Sequence, residues 1–184
     1  MAKKLSLLLG AAAAVACAVP AFASAAPAVT DGGKLLAVPK LLQATNTTAV
    51  TVQTSFGVTS CSSWTFTATL TTNTGNTFRG TGSGTSSASG CIKGGKPITI
   101  TDITLKEFHS ATVGSGTMSL TFVDDASIVC HFEAPNMPFT YTSGGDVIQV
   151  TNGDLKGSPA ACEPGTFNGA FTVETDGGGS VVLD

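Results

Sequence analysis

The chain has 184 residues, 12 of them acidic and 9 basic, for a net charge of −3, and only 11% are charged. An ordinary globular domain carries about 25% charged residues. An acidic chain whose one arginine is Arg79 is unsuited to binding a phosphate backbone or an anionic membrane, so a nucleic-acid partner is excluded.

Lys3 and Lys4 precede an apolar run from Leu5 to Val19, followed by the small-residue sites Ala21-Phe22-Ala23 and Ala23-Ser24-Ala25. This is the pattern of a secretory signal peptide over residues 1–25. A transmembrane anchor fits less well, because the run is short and Pro20 interrupts it. A lipid anchor at Cys17 is disfavoured by the preceding Ala14-Val15-Ala16. The mature chain is expected to begin near Ala26, with 7 basic residues against 12 acidic and a net charge of −5. It is predicted to have an N-terminal arm over 26–46 and a single β domain over 47–184.

Within the arm, Lys34 to Leu42 is apolar, but Pro39 argues against one continuous helix, which leaves a strand, a short helix or an arm packed over the sheet. Thr47 to Phe56 reads as a strand. In the next segment Trp64, Phe66, Ala68 and Leu70 alternate with Thr65, Thr67 and Thr69, the period of a half-buried strand. A Gly/Ser/Thr run from Gly80 to Gly90 then returns to Cys91. The apolar parity flips between Ile100 and Ile103, which predicts a bulge or bend near Asp102. Met118, Leu120 and Phe122 form another alternating set. Asp124-Asp125 marks a turn before Ile128, Cys130 and Phe132. Further strands are predicted at Phe139–Tyr141, Val147–Val150, Thr166–Val173 and Val181–Leu183. Frequent short strands without any sustained helical period predict an all-β fold, an antiparallel β-sandwich or barrel-like Greek key stapled by two disulfides.

Four cysteines remain once Cys17 leaves with the leader, and in an oxidising compartment they are expected to pair. Sequence alone leaves three connectivities open. The segments Cys61 to Cys91 and Cys130 to Cys162 share one grammar, two β-type runs about a turn and then a Gly/Ser-rich stretch, which favours Cys61–Cys91 with Cys130–Cys162. Zinc is disfavoured, since there is no Cys-x-x-Cys pair and His109 and His131 are not spaced as ligands.

The order of Cys61, a Thr-alternating strand, a Gly-rich return to Cys91, Ser115-Gly-Thr-Met-Ser-Leu120, Val129-Cys130, and Cys162 ahead of Thr166-Phe-Asn-Gly-Ala-Phe-Thr-Val173 resembles a bacterial group. This group comprises the small secreted β proteins called "activator of alkane oxidation" and their uncharacterised relatives. The likeness covers Thr47 to Leu183. Where relatives often carry Leu-Pro-Trp, this chain has Thr104-Leu105-Lys106-Glu107-Phe108. The resemblance implies an extracellular, surface-active or envelope-associated role and brings no catalytic residues with it.

The chain shows little sign of catalytic chemistry. A Ser/His/Asp triad would need His109 or His131, and no Gly-x-Ser-x-Gly elbow is present. Asp124, Asp125, Asp146, Asp154 and Asp176 lie in turn-like positions, where solvation explains them. No Asp-x-Asp-x-Asp calcium loop occurs. Trp64 is expected in the core rather than on a carbohydrate platform. One candidate binding loop stands out: Ala134-Pro-Asn-Met-Pro138, flanked by aromatics, with Phe132, Met137, Phe139 and Tyr141 as its candidate residues. The expected function is a secreted, non-enzymatic structural or binding protein without a cofactor, contacting an envelope polymer or an apolar interface. The alternative is a small secreted glycosidase-like hydrolase with a carboxylate site.

Overall fold

A computed structural model describes residues 28–75, 77–83, 86–110, 114–123 and 129–184. The expected leader, with Cys17, and the expected Asp124-Asp125 turn lie outside these residues. The described residues form strands and no helix: β1 (Val29–Asp31), β2 (Lys34–Leu35), β3 (Lys40–Asn46), β4 (Val50–Thr54), β5 (Gly57–Asn73), β6 (Phe78–Gly82) and β7 (Ser87–Lys93), followed by β8 (Lys96–Pro97), β9 (Thr99–His109), β10 (Gly114–Val123), β11 (Val129–Tyr141), β12 (Val147–Ser158), β13 (Gly165–Thr175) and β14 (Val182–Leu183).

The alternation around Trp64 lies in the middle of β5, the longest strand. Trp64, Phe66, Ala68 and Leu70 face inward and the threonines between them are half-buried. β3 and β4 together lie along β5, Leu42 opposite Ala68 and Val50 opposite Cys61. β6 and β7 lie along its other edge. From β9 to β13 each strand pairs antiparallel with the next, and β6 pairs with β9. Because β13 also pairs with β3 and β4, the ring closes. Of sandwich and barrel, the barrel forms, and its connections are an up-and-down meander. Closure leaves β7 and the short β8 as the edge of the wall. A ring of this size, about eight strand positions, is just wide enough to be filled by side chains or to hold one small ligand. β14, β1 and β2 make a separate antiparallel sheet.

The wall is irregular where the sequence pattern changes parity. Asp102 has φ 52° and the β9–β10 register shifts beside it, so the flip between Ile100 and Ile103 is a bulge. A second shift separates Leu105 from Glu107 on β9 and turns Phe108 toward the interior. This approach requires glycine opposite: a Cβ on Gly80 would strike the Phe108 ring, and one on Gly82 the Leu105 carbonyl. The break between β3 and β4 is stitched by Asn46. Its Oδ1 accepts from the Trp64 N–H (2.6 Å) and its Nδ2 donates to the Thr48 and Ser62 carbonyls (2.8 and 3.0 Å).

Two expectations are corrected. Lys40–Asn46 is not part of an arm but a strand of the ring, and the barrel begins at Lys40 rather than 47. Adjacent Leu41 and Leu42 hide its alternation, and Pro39 only marks the bend before it. Residues 134–138 are not a loop either, because β11 runs unbroken from Val129 to Tyr141. A bulge against β10 places Pro135 and Asn136 opposite Thr117, moving the inward face from Phe132 and Ala134 to Met137 and Phe139. The prolines, which lack N–H donors, sit where β11 has no paired register with β12.

Candidate functional site

The interior differs between the two ends. At one end Trp64, wholly buried, packs edge-on against Phe167 with ring centroids 5.3 Å apart, and Phe66 stands 5.3 Å from Phe171. Trp64 is core, as expected. Its Nε1–H is buried and has no acceptor among the described residues. Such an orphan costs about 1–3 kcal/mol, and an aromatic face repays only part of it. Beside this cluster lie both disulfides. Cys61–Cys91 joins directly opposed residues of β5 and β7, and Cys130–Cys162 ties β11 to the turn after β12. That turn folds over the barrel end so closely that a Cβ on Gly157 would meet the Cys162 carbonyl. Sequence separations of 30 and 32 imply that each link contributes about 3–4 kcal/mol by restricting the unfolded chain.

Beyond the Phe66 and Phe171 layer the interior opens into a cavity of about 90 Å³. Small inward residues make the space: Ala44 on β3, Ala68 on β5 and Gly116 on β10. Phe139 and Met137 come from β11, Leu105 and Phe108 from the double bulge of β9. None of the lining side chains carries a charge, an amide or a hydroxyl; the most polar is the Met137 thioether.

Val29 and Leu183 close this end as part of the β14–β1–β2 sheet, which acts as a lid. Asn73, at the end of β5, holds it. The Val29 N–H donates to Asn73 Oδ1 (3.1 Å), while Asn73 Nδ2 donates to the carbonyls of Val29 (2.7 Å) and Leu36 (2.9 Å). One side chain thereby serves as a further strand edge for the lid. On the far side the Leu183 N–H donates to the Gly145 carbonyl (2.7 Å) and the Tyr141 hydroxyl to the Asp184 carbonyl (3.3 Å). Burial, and then the negative charge of Asp184, raise the Tyr141 pKa above its usual value of 10.0. Among the described residues neither disulfide reaches this lid.

Comparison with known proteins finds no matching family model, no matching curated protein and no matching solved structure.

The structure divides the four residues expected in one binding loop. Met137 and Phe139 line the cavity, and Tyr141 stands at its rim against the lid. Phe132 belongs to the opposite end, edge-on to Phe122 at 5.5 Å. Sequence reasoning missed Ala44, Ala68, Phe108 and Val29. A signal existed in Ala68, a small residue between Phe66 and Leu70 on an inward face of large ones. Phe108 carried none, because the second bulge inverts its parity relative to Ile103 and Leu105.

His131 Nδ1 is 2.9 Å from Thr121 Oγ1, with its own residue exposed, and Glu133 pairs with Lys106 at 3.2 Å on the exposed wall. Among the described residues no three His, Cys, Asp or Glu side chains group as metal ligands.

Proposed function

We propose that this is a secreted, non-enzymatic binding protein whose barrel shelters an apolar ligand beneath the terminal lid. The observation that carries the reading is a cavity with a wholly apolar lining, closed on one side by a sheet held by hydrogen bonds and by the burial of Val29, Val181 and Leu183. Barrel mouths are favoured ligand sites, and an apolar cavity does not attract water strongly enough to fill itself. The leader pattern, the two disulfides and the family resemblance support an extracellular setting. Exposed Leu35 on the lid and Val38 just after it favour work near an apolar interface or envelope polymer.

The test is thermal unfolding of the mature protein with a panel of apolar compounds, from benzene to laurate, beside Ala68→Leu. Three added carbons at residue 68 fill most of the space. A ligand at a hundredfold excess over Kd adds about 2.7 kcal/mol, or a Tm rise of roughly 5–10 °C. At least one compound should raise the native Tm and leave the variant unchanged. A panel without effect on the native protein contradicts the reading. Sequencing of secreted material should find Ser24 or Ala26 at its start; an acylated Cys17 would contradict secretion.

A further inference from the structure

We infer that the ligand of this cavity is a compact, uncharged molecule without hydrogen-bonding groups, about the size of one aromatic ring, and not a long-chain amphiphile. The inference rests on the binding reading above and names its ligand class. Three observations carry it.

The first is depth. Barrels that hold extended lipids need an unobstructed axis, and here the axis is blocked. Phe66 and Phe171 form the floor, with Trp64 and Phe167 packed behind them. The roof is Val29 and Leu183. A chain entering under the lid meets aromatic rings within a few carbons. The second is volume. An apolar cavity of roughly 150 Å³ accepts benzene. At about 90 Å³ this one is smaller, and Met137, unbranched and adaptable, is the wall element that can yield to a ring.

The third is polarity, at the lining and at the rim together. No lining side chain can pair with a hydroxyl or carboxylate. The polar groups nearest the mouth are already engaged: both ends of the Asn73 amide hold the lid, and the Tyr141 hydroxyl donates to Asp184. A ligand hydroxyl would have to surrender its water without replacement, or break the lid's bonds to find a partner. Benzene or toluene meets neither difficulty. Discrimination against a hydroxyl is therefore built from the absence of partners, and in an apolar pocket it is of the same order as that against a missing methylene, roughly tenfold to a hundredfold.

The experiment is calorimetric titration of the mature protein with benzene, toluene, phenol and laurate, repeated on Ala68→Leu and, as a milder filling variant, Ala44→Val. Benzene or toluene should bind one per chain, with phenol at least tenfold weaker and laurate weaker still. Both variants should weaken the aromatic ligands while retaining the native unfolding transition. Phenol binding as tightly as benzene overturns the inference, since a polar partner must then exist. So does laurate binding more tightly than toluene, although laurate binding that Ala68→Leu abolishes would leave the binding reading intact. Binding of none of the four overturns both.

Discussion

At one end of the barrel two disulfides, a turn tied down by Cys162 and a cluster of four aromatic rings fill the interior. At the other, alanines and a glycine occupy inward positions, and a small sheet from both ends of the described chain lies over them without a covalent bond. Both ends use an asparagine to mend a gap in hydrogen bonding. Asn46 joins fixed parts of the wall, β3, β4 and β5, whereas Asn73 joins the wall to the lid. The same chemistry yields a rigid seam in one place and a releasable latch in the other. What differs is the support around it: neighbouring ladders flank Asn46, while the lid has only short strands of two or three residues. Segments with few ladder bonds open locally at low free-energy cost, and binding elements are drawn from them.

The sharpest way to break this contrast is at Trp64. Trp64→Ala should cost about 3–5 kcal/mol in guanidinium unfolding, because no neighbour can refill the aromatic cluster. Trp64→Phe should cost under about 1.5 kcal/mol, since the lost volume is offset by removing the orphaned Nε1–H. A Trp64→Phe loss well above about 1.5 kcal/mol would mean that the indole N–H is satisfied in solution.

Next come the staples. Replacing Cys130 and Cys162 together with Ala should lower global stability by about 2–5 kcal/mol, and the Cys61 and Cys91 pair likewise. Neither change should weaken a ligand held at the lid end. Loss of ligand affinity in either double variant, with the native fold retained, would show that the two ends are coupled.

Asn73→Ala should act in the opposite sense. It leaves the Val29 N–H and the Val29 and Leu36 carbonyls without their partner, at about 1–3 kcal/mol if they stay buried. Because the lid can open instead, global unfolding should change less than ligand exchange, which stopped-flow release would show as accelerated.

The smallest effect concerns pH. Tyr141 has its pKa raised in the folded state, so its contribution is fully present below the unfolded value of about 10. It is lost as pH rises through the folded value, when ionisation breaks the bond to Asp184. Tyr141→Phe should abolish this alkaline loosening of the lid; an unchanged alkaline profile would place its origin elsewhere.

Much of the wall was legible from the sequence, and the cavity was not. The Trp64–Leu70 alternation, the parity flip at Asp102 and the parallel between the two cysteine segments each express a local rule, and each holds in the structure. The β3 strand was obscured because paired leucines mask period two and its partners lie on distant strands, β5 and β13. Residues 134–138 looked like a loop because proline and asparagine usually end strands. Here they sit at a bulge that the neighbouring ladders tolerate. The cavity arises from residues far apart in sequence, Val29, Ala68, Phe108 and Leu183 among them, brought together only by ring closure and by two bulges whose inward faces no simple period predicts.

Native-state amide hydrogen exchange, residue by residue, tests the division between a fixed end and an opening end most directly. Amides of the lid, such as Leu183 N–H to Gly145 and Asp184 N–H to Ala28, should exchange roughly a hundredfold faster than those of Cys61 to Phe66, and saturating toluene should slow the lid amides alone. Equal protection at both ends, unaltered by toluene, would contradict the account.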